Sequence, residues 1–379
     1  MLSGRTTGDF ITRVGRALED AGRRGIHLSS GAGACDLEVR NFAERTTGED
    51  GASEGGPEHL EGTPRAVDPG RPQGVSKLCY FLDGVQSTHE VGRIGAVPII
   101  ATTVAAAIAN RCDRRFSRMP FDVPPTVLQA IILPLGVDEG VDGFHELLVR
   151  EGLRELYEDS PISEGELVVD STEYATSMAD AADYVTLQAM GYGRARSLRE
   201  RLESEMLRQW EGDDRTLEDA EGWIAVDGQL RDIREANRRA VGLIKTVARP
   251  EFRGEDMRIL LDLEAGMRTT SFTPGWQRGL SPVEQRTSWY LRMWPRQRGA
   301  DALGSLMRIE APRGVEAEEV DEISRWLLAE RAPLAKPDPR WPAMIYPIHY
   351  VERVLKPLVQ NSERAYAKLE RRLAIDERN

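Results

Sequence analysis

The sequence predicts a mixed α/β (α+β) domain in which a central sheet is flanked by helices. Three observations carry that expectation. Short apolar runs rich in β-branched residues recur between residues 77 and 135. A charged stretch, Arg194 to Arg208, then carries Leu198, Leu202, Met206 and Leu207 along one face. A second apolar run, Gly222 to Leu230 (GWIAVDGQL), follows it. Strands, then a helix, then a further strand define the class.

The elements read in order as follows. Asp9 to Arg24 has Phe10, Ile11, Val14 and Leu18 near helical spacing, so residues 1–43 form an N-terminal helical segment. Residues 44–76 are rich in Gly, Glu, Pro and Thr, hold almost no large apolar side chains, and read as a flexible loop or linker. Lys77 to Val85 (KLCYFLDGV) suits a buried strand ending in Asp-Gly. His89 to Arg93 and Gly95 to Ala106 suggest two more strands of a meander, and Pro125 to Leu135 another, whereas Arg111 to Met119 is basic without a core pattern. Thr176 to Trp210 is expected to be helical. Val241 to Val247, Arg258 to Leu263, Trp289 to Trp294 and Leu306 to Ile309 are strand candidates, and Val320 to Arg331 and Tyr350 to Arg372 are amphipathic helices.

Composition narrows the function classes. Hydrophobic residues make up 40% and charged residues 30%, as in a soluble globular chain. The longest apolar stretch, Ile94 to Ala109, contains a proline and falls short of the roughly 18 residues that span a bilayer. The N-terminus lacks the apolar core of a secretory signal, so a cytoplasmic protein with no membrane partner is expected. Cys35, Cys79 and Cys112 are too widely spaced for a zinc site or disulfide framework and read as thiols, Cys79 in the core. A net charge of −12 argues against coating nucleic acid over the whole surface, yet allows a local arginine-lined groove. No Walker A, GxGxxG, GxSxG or HExxH pattern is present, so the chain is not expected to hydrolyse ATP.

Two apolar runs end alike, in Asp83-Gly84 and in Asp227-Gly228. Asp-Gly often marks a plain turn. An aspartate closing a buried strand is costly, however, unless it meets a metal, a partner charge or solvent. A meander whose first strand bears an aspartate, a helix with a glutamate, and a strand with another aspartate together assemble a site of the RNase H-like kind. Its carboxylates would hold Mn²⁺ or Mg²⁺ through oxygen. The helix offers Glu200, Glu203 and Glu205, with Glu203 the first choice beside the apolar face and Glu205 the second.

The chain resembles the NurA nucleases, which act beside the hexameric ATPase HerA. The resemblance rests on Phe81 to Val85, Val226-Asp227-Gly228-Gln229-Leu230, Val241-Gly242-Leu243-Ile244-Lys245, Trp289 to Arg292, Met307 to Pro312, and Ile345-Tyr346-Pro347. It covers about residues 77 to 360, in the family's order. It implies an RNase H-like core over residues 77–379, manganese-stimulated cleavage of DNA, a homodimer, and docking to a HerA-like translocase in DNA end processing, repair or anti-phage defence. By resemblance Asp83, Glu203 and Asp227 would ligate metal, and Lys245, with Arg292 and Tyr346, would contact substrate. The sequence departs from the family pattern in three ways. Val85 stands where a serine is usual, residues 137–174 read as an insertion, and Val354 stands where a histidine is expected two turns after Tyr346-Pro347. His349 is the nearest histidine, either a substitute ligand among the catalytic residues or a structural side chain. A rival reading is a catalytically silent subunit that keeps the fold and partner docking.

Overall fold

The computed structural model describes residues 7–30, 56–72, 76–112, 115–121, 125–157, 160, 162, 165–172, 184–212, 222–230, 239–247, 249–296, 301–333 and 341–376. Helix α1 (Thr7–Arg23) and strands β1 (Leu28–Ser29), β2 (Glu58–His59) and β3 (Ala66–Val67) precede the two longest strands, β4 (Leu78–Ile94) and β5 (Val97–Cys112). Then come β6 (Arg115–Phe121), β7 (Thr126–Leu133), α2 (Glu139–Arg150), β8 (Arg154–Glu155), β9 (Gly165–Asp170) and the long α3 (Tyr184–Gly212). The remainder comprises β10 (Trp223–Asp227), β11 (Ala240–Ile244), α4 (Met257–Asp262), β12 (Arg268–Thr269), β13 (Phe272–Thr273), β14 (Arg286–Arg292), β15 (Leu306–Pro312), α5 (Ala317–Glu330) and α6 (Tyr346–Asp376).

One mixed sheet organises these elements. Its spine runs β13-β14-β15-β11-β10-β4-β5-β7-β9. Strands β4, β5 and β7 form the antiparallel meander, and β10 returns after α3 to lie parallel to β4, with β11 parallel to β10. This is the mixed α/β sheet flanked by helices that the sequence predicts, with the order meander, helix, returning strand. Strand alternation sorts the side chains. Phe81, Val85, Ala225, Leu243 and Ile309 face α5 and α6, whereas Leu82, Val104, Leu128 and Val226 face α3. Each fully buried Leu, Ile or Phe among them contributes ~1.5–3 kcal/mol of transfer free energy. A third cluster joins α1, through Phe10, Val14 and Leu18, to α2 and to Tyr366 of α6. Among the described residues no helix is long and apolar enough to cross a membrane.

Several expectations are corrected. The separate strands read at 77–85 and 89–93 are one strand, so Asp83 sits within β4 rather than at its end; the chain turns only at Gly95, which takes φ +56°. Arg258 to Leu263 is helical, because a short apolar run does not itself distinguish helix from strand, and here a turn at Gly254–Asp256 leads into α4. The basic stretch after Arg111 includes β6, paired with β5. Residues 137–174, read as an insertion, include α2, β8 and β9, and β9 pairs parallel with β7 as part of the sheet. Part of the expected loop is likewise built in: β2 pairs with β13 and β3 with β12. Glu61 between them accepts two hydrogen bonds from buried Arg268, at 2.8 and 3.2 Å. Ion pairing, not apolar burial, holds this polar segment. Cys79 is half-buried against the α3-side core, and Cys35 lies outside the described residues.

Candidate active site

The two Asp-Gly elements come together on one face of the sheet. Val226 of β10 pairs with Leu82 of β4, which puts Asp227 beside Asp83 at the next position. Both aspartates fall on the alternation that faces α6, as does Lys245 just beyond β11. Gly228 takes φ +110°, a conformation open mainly to glycine, and turns the chain away directly after Asp227. Gly84 has a different task. It remains within the strand, and a methyl group added there would overlap the carboxylate of Glu203. Glu203 descends from α3 on the opposite face, and the missing Cβ of Gly84 gives it access to the sheet beside Asp83.

Asp83 is 3% exposed. Its Oδ1 accepts the Gly84 amide at 2.8 Å, while Oδ2 is buried without a hydrogen-bond partner. Burial first, then the charge of Asp227, push its carboxyl well above the usual carboxylate range; Glu203 and Glu352 add to this and Lys245 opposes it. Lys245 Nζ donates to Asp227 Oδ2 at 2.7 Å and lies 3.5 Å from Met344 Sδ, while Lys356 pairs with Glu352 at 3.0 Å. Desolvation works to lower the Lys245 pKa, but Asp227, Asp83 and Glu352 together outweigh it and hold the ammonium above its ordinary value.

The expected site residues therefore divide. Asp83, Asp227, Glu203 and Lys245 converge. Glu205 instead pairs with Arg208 at 3.0 Å, and Glu200 with Arg196 at 2.8 Å. His349 stands at the edge, its Nδ1 3.7 Å from Glu352 Oε2. Tyr346 is exposed at the start of α6. Arg292 is a correction: it is 1% exposed, and its three nitrogens donate to the carbonyls of Leu263, Gly304 and Leu260. It braces the chain inside the protein, and its burial keeps it from a substrate.

Sequence reasoning missed Glu352. It lies on α6 next to buried Val351, between Ile348 and Leu355, on the margin of the stripe that packs on the sheet. An acidic residue on that margin was the available signal. The donor set thus comprises carboxylates from β4, β10, α3 and α6, and the orphaned oxygen of Asp83 suits a hard divalent cation. Among the described residues, however, no group of three or more His, Cys, Asp or Glu side chains is disposed to hold a metal ion as they stand. The chemistry of the donors fits; their spacing is not yet that of a coordination sphere.

A cleft opens beside this cluster on the α3 side. Arg199, Glu203 and Ser204 line it from the helix, and Asp227, Gly228 and Gln229 from the end of β10. Comparison with protein-family models finds no match to this chain, and comparison with curated proteins finds none.

Proposed function

We infer that the protein is a divalent-metal-dependent DNA nuclease. The observation that carries this reading is the buried, unpartnered Asp83 oxygen beside Asp227, with Glu203 and Glu352 adding negative charge to the same point. A fold retains such a costly arrangement where a cation or a reaction uses it. Asp83, Asp227, Glu203 and Glu352 would hold Mn²⁺ or Mg²⁺. When bound, the ion supplies a Lewis acid for the phosphodiester and an acidified water. In the hydrolysis a water oxygen bonds to phosphorus, the ester P–O bond breaks, and the leaving sugar oxygen takes up a proton. Lys245 balances Asp227 until the ion enters. The resemblance to NurA supports DNA as substrate, a homodimer, and a HerA-like hexameric ATPase as partner in the cytoplasm. The lack of a nucleotide motif fits that division of labour.

The test is incubation of labelled DNA with the purified chain and Mn²⁺, with and without the ATPase. Metal-dependent cleavage is expected, lost on chelation; no cleavage under either condition refutes the reading. One observation favours a second reading. The 2.7 Å Lys245–Asp227 pair already compensates one carboxylate, as in a silent subunit kept for docking. That protein would bind the ATPase, shift its light-scattering mass, and cut nothing.

A further inference from the structure

Arg199 lines the cleft from α3, its side chain 28% exposed. Its Nε is shielded from solvent and has no hydrogen-bond partner. Glu203 Oε1 lies 3.6 Å from this Nε and Glu200 Oε1 3.9 Å from Nη2, ion pairs too long to be hydrogen bonds. Glu200 is engaged by Arg196, and Glu203 is turned toward Gly84. Across the same cleft, Gln229 Nε2 is also buried without a partner. Two orphaned donors therefore face one opening, while Glu203 and Asp227 stand on its rim. A buried donor left unpaired carries an uncompensated desolvation penalty, so a ligand acceptor between them is favoured. A free anion would be repelled by the carboxylates. A phosphate whose charge is shared with a divalent cation would not. The planar guanidinium fork matches two oxygens of a phosphate.

We propose that Arg199 and Gln229 form an oxyanion subsite that grips the non-bridging oxygens of a phosphodiester in the strand lying against the acidic cluster. This rests on the nuclease reading for its substrate class, but it concerns binding and is read separately from cleavage. Arg199 would set the register of the strand, and Gln229 would close the subsite from the β10 side.

The experiment measures binding of a fluorescein-labelled dodecathymidylate by anisotropy, with Ca²⁺ in place of Mn²⁺, over a series of salt concentrations. Arg199→Gln is expected to weaken binding about tenfold, equivalent to about 1.4 kcal/mol. It should also flatten the logarithmic salt dependence by about 0.7, the loss of one phosphate contact on a single strand. Arg199→Lys should keep the slope while losing part of the affinity. Gln229→Leu should weaken binding about threefold with the slope unchanged, because no charge is removed. Wild-type affinity and slope in Arg199→Gln would overturn the subsite even if the protein cuts DNA. Should Arg199→Gln not fold, undiminished affinity in both Arg199→Lys and Gln229→Leu would overturn it equally. Arg199-dependent binding by a protein that never cleaves would uphold the subsite and remove the nuclease reading. A wild-type chain that does not bind the oligonucleotide refutes the subsite, and the Mn²⁺ assay then judges the nuclease independently.

Discussion

Arg111 with Glu330 is a buried ion pair and Lys245 with Asp227 a partly buried one, and they are built differently. The Arg111 fork meets both Glu330 oxygens at 2.7 and 2.6 Å, donates once more to the Leu78 carbonyl at 3.0 Å, and lies over the Phe81 ring. One charge of each sign is present, and every Glu330 oxygen has a partner. Around Lys245 and Asp227 the charges are spread instead: Lys356 pairs with Glu352 at 3.0 Å, Arg199 lies 3.6 Å from Glu203, and an Asp83 oxygen is left bare. The first arrangement is closed and serves the fold. The second leaves a buried carboxylate oxygen without a partner, the feature on which the proposed metal site rests. Arg292, ringed by carbonyls, belongs with the closed class.

The largest effect expected from this contrast is on cleavage. Asp227→Asn keeps the side-chain shape but removes the charge nearest the strand end. Mn²⁺-dependent DNA cleavage should fall by orders of magnitude, since metal activation of water carries most of the rate. The melting temperature should fall only modestly, because asparagine keeps an oxygen facing the Lys245 ammonium and the pair is partly exposed. Equal cleavage by mutant and wild type would place Asp227 in the closed class.

The complementary change strikes the fold and spares the chemistry. Glu330→Gln strands the Arg111 guanidinium in a buried site, with both partners under 10% exposed. Breaking such a pair costs about 3–5 kcal/mol. Urea denaturation should show this loss, while the specific activity of the folded fraction stays at the wild-type level. A stable mutant, or one folded but inactive, would break the distinction between the two pairs.

Gly84→Ala is the intermediate case. The added methyl group displaces the end of a flexible glutamate rather than backbone, so folding should change little. Glu203 loses its seat beside Asp83. Cleavage should fall about 10–100-fold, the usual cost of disturbing a ligand's support. Combined with Glu203→Ala it should add almost nothing, because both act through one carboxylate. Full additivity would show that Gly84 does not act through Glu203.

These contrasts also explain what the sequence disclosed. The meander, the long helix and the returning strand were legible because their apolar periodicity is strong, and the paired Asp-Gly elements identified both aspartates of the cluster. Glu203 was legible as an acidic residue beside an apolar face. The length of β4 was hidden because Asp83-Gly84 mimics a turn, whereas its glycine instead admits Glu203 from the other face. Glu352 escaped notice because one carboxylate on an amphipathic helix looks like any solvated one until the helix is docked. Arg292 misled for the opposite reason: in sequence an arginine after a strand looks available, and only tertiary structure wraps carbonyls around it. Residues 58–67 were opaque because ion pairs and backbone pairing to distant strands hold them, and these leave no local pattern.

The smallest expected effect tests the unpaired Asp83 carboxyl itself. In the folded chain the Asp83 carboxyl is held well above its usual range by burial and by Asp227. Below the unfolded-state pKa of about 3.9 the group is protonated in both states and contributes nothing to pH dependence. As pH rises past that value, the unfolded chain releases the proton while the folded chain keeps it, so stability falls until the folded pKa is passed. Beyond it a constant penalty remains. Asp83→Asn removes the penalty, so in chelator its melting temperature should exceed that of wild type at neutral pH, and the gap should close as pH falls toward 4. Added Mn²⁺ should reverse the order, because a ligand that binds only the native state stabilises it by mass action, and the mutant has lost a donor. Scanning calorimetry of both proteins in chelator and in Mn²⁺ checks each half. A mutant that melts below wild type in chelator at every pH would mean that Asp83 is paired like Glu330, and the open class would lose its central member.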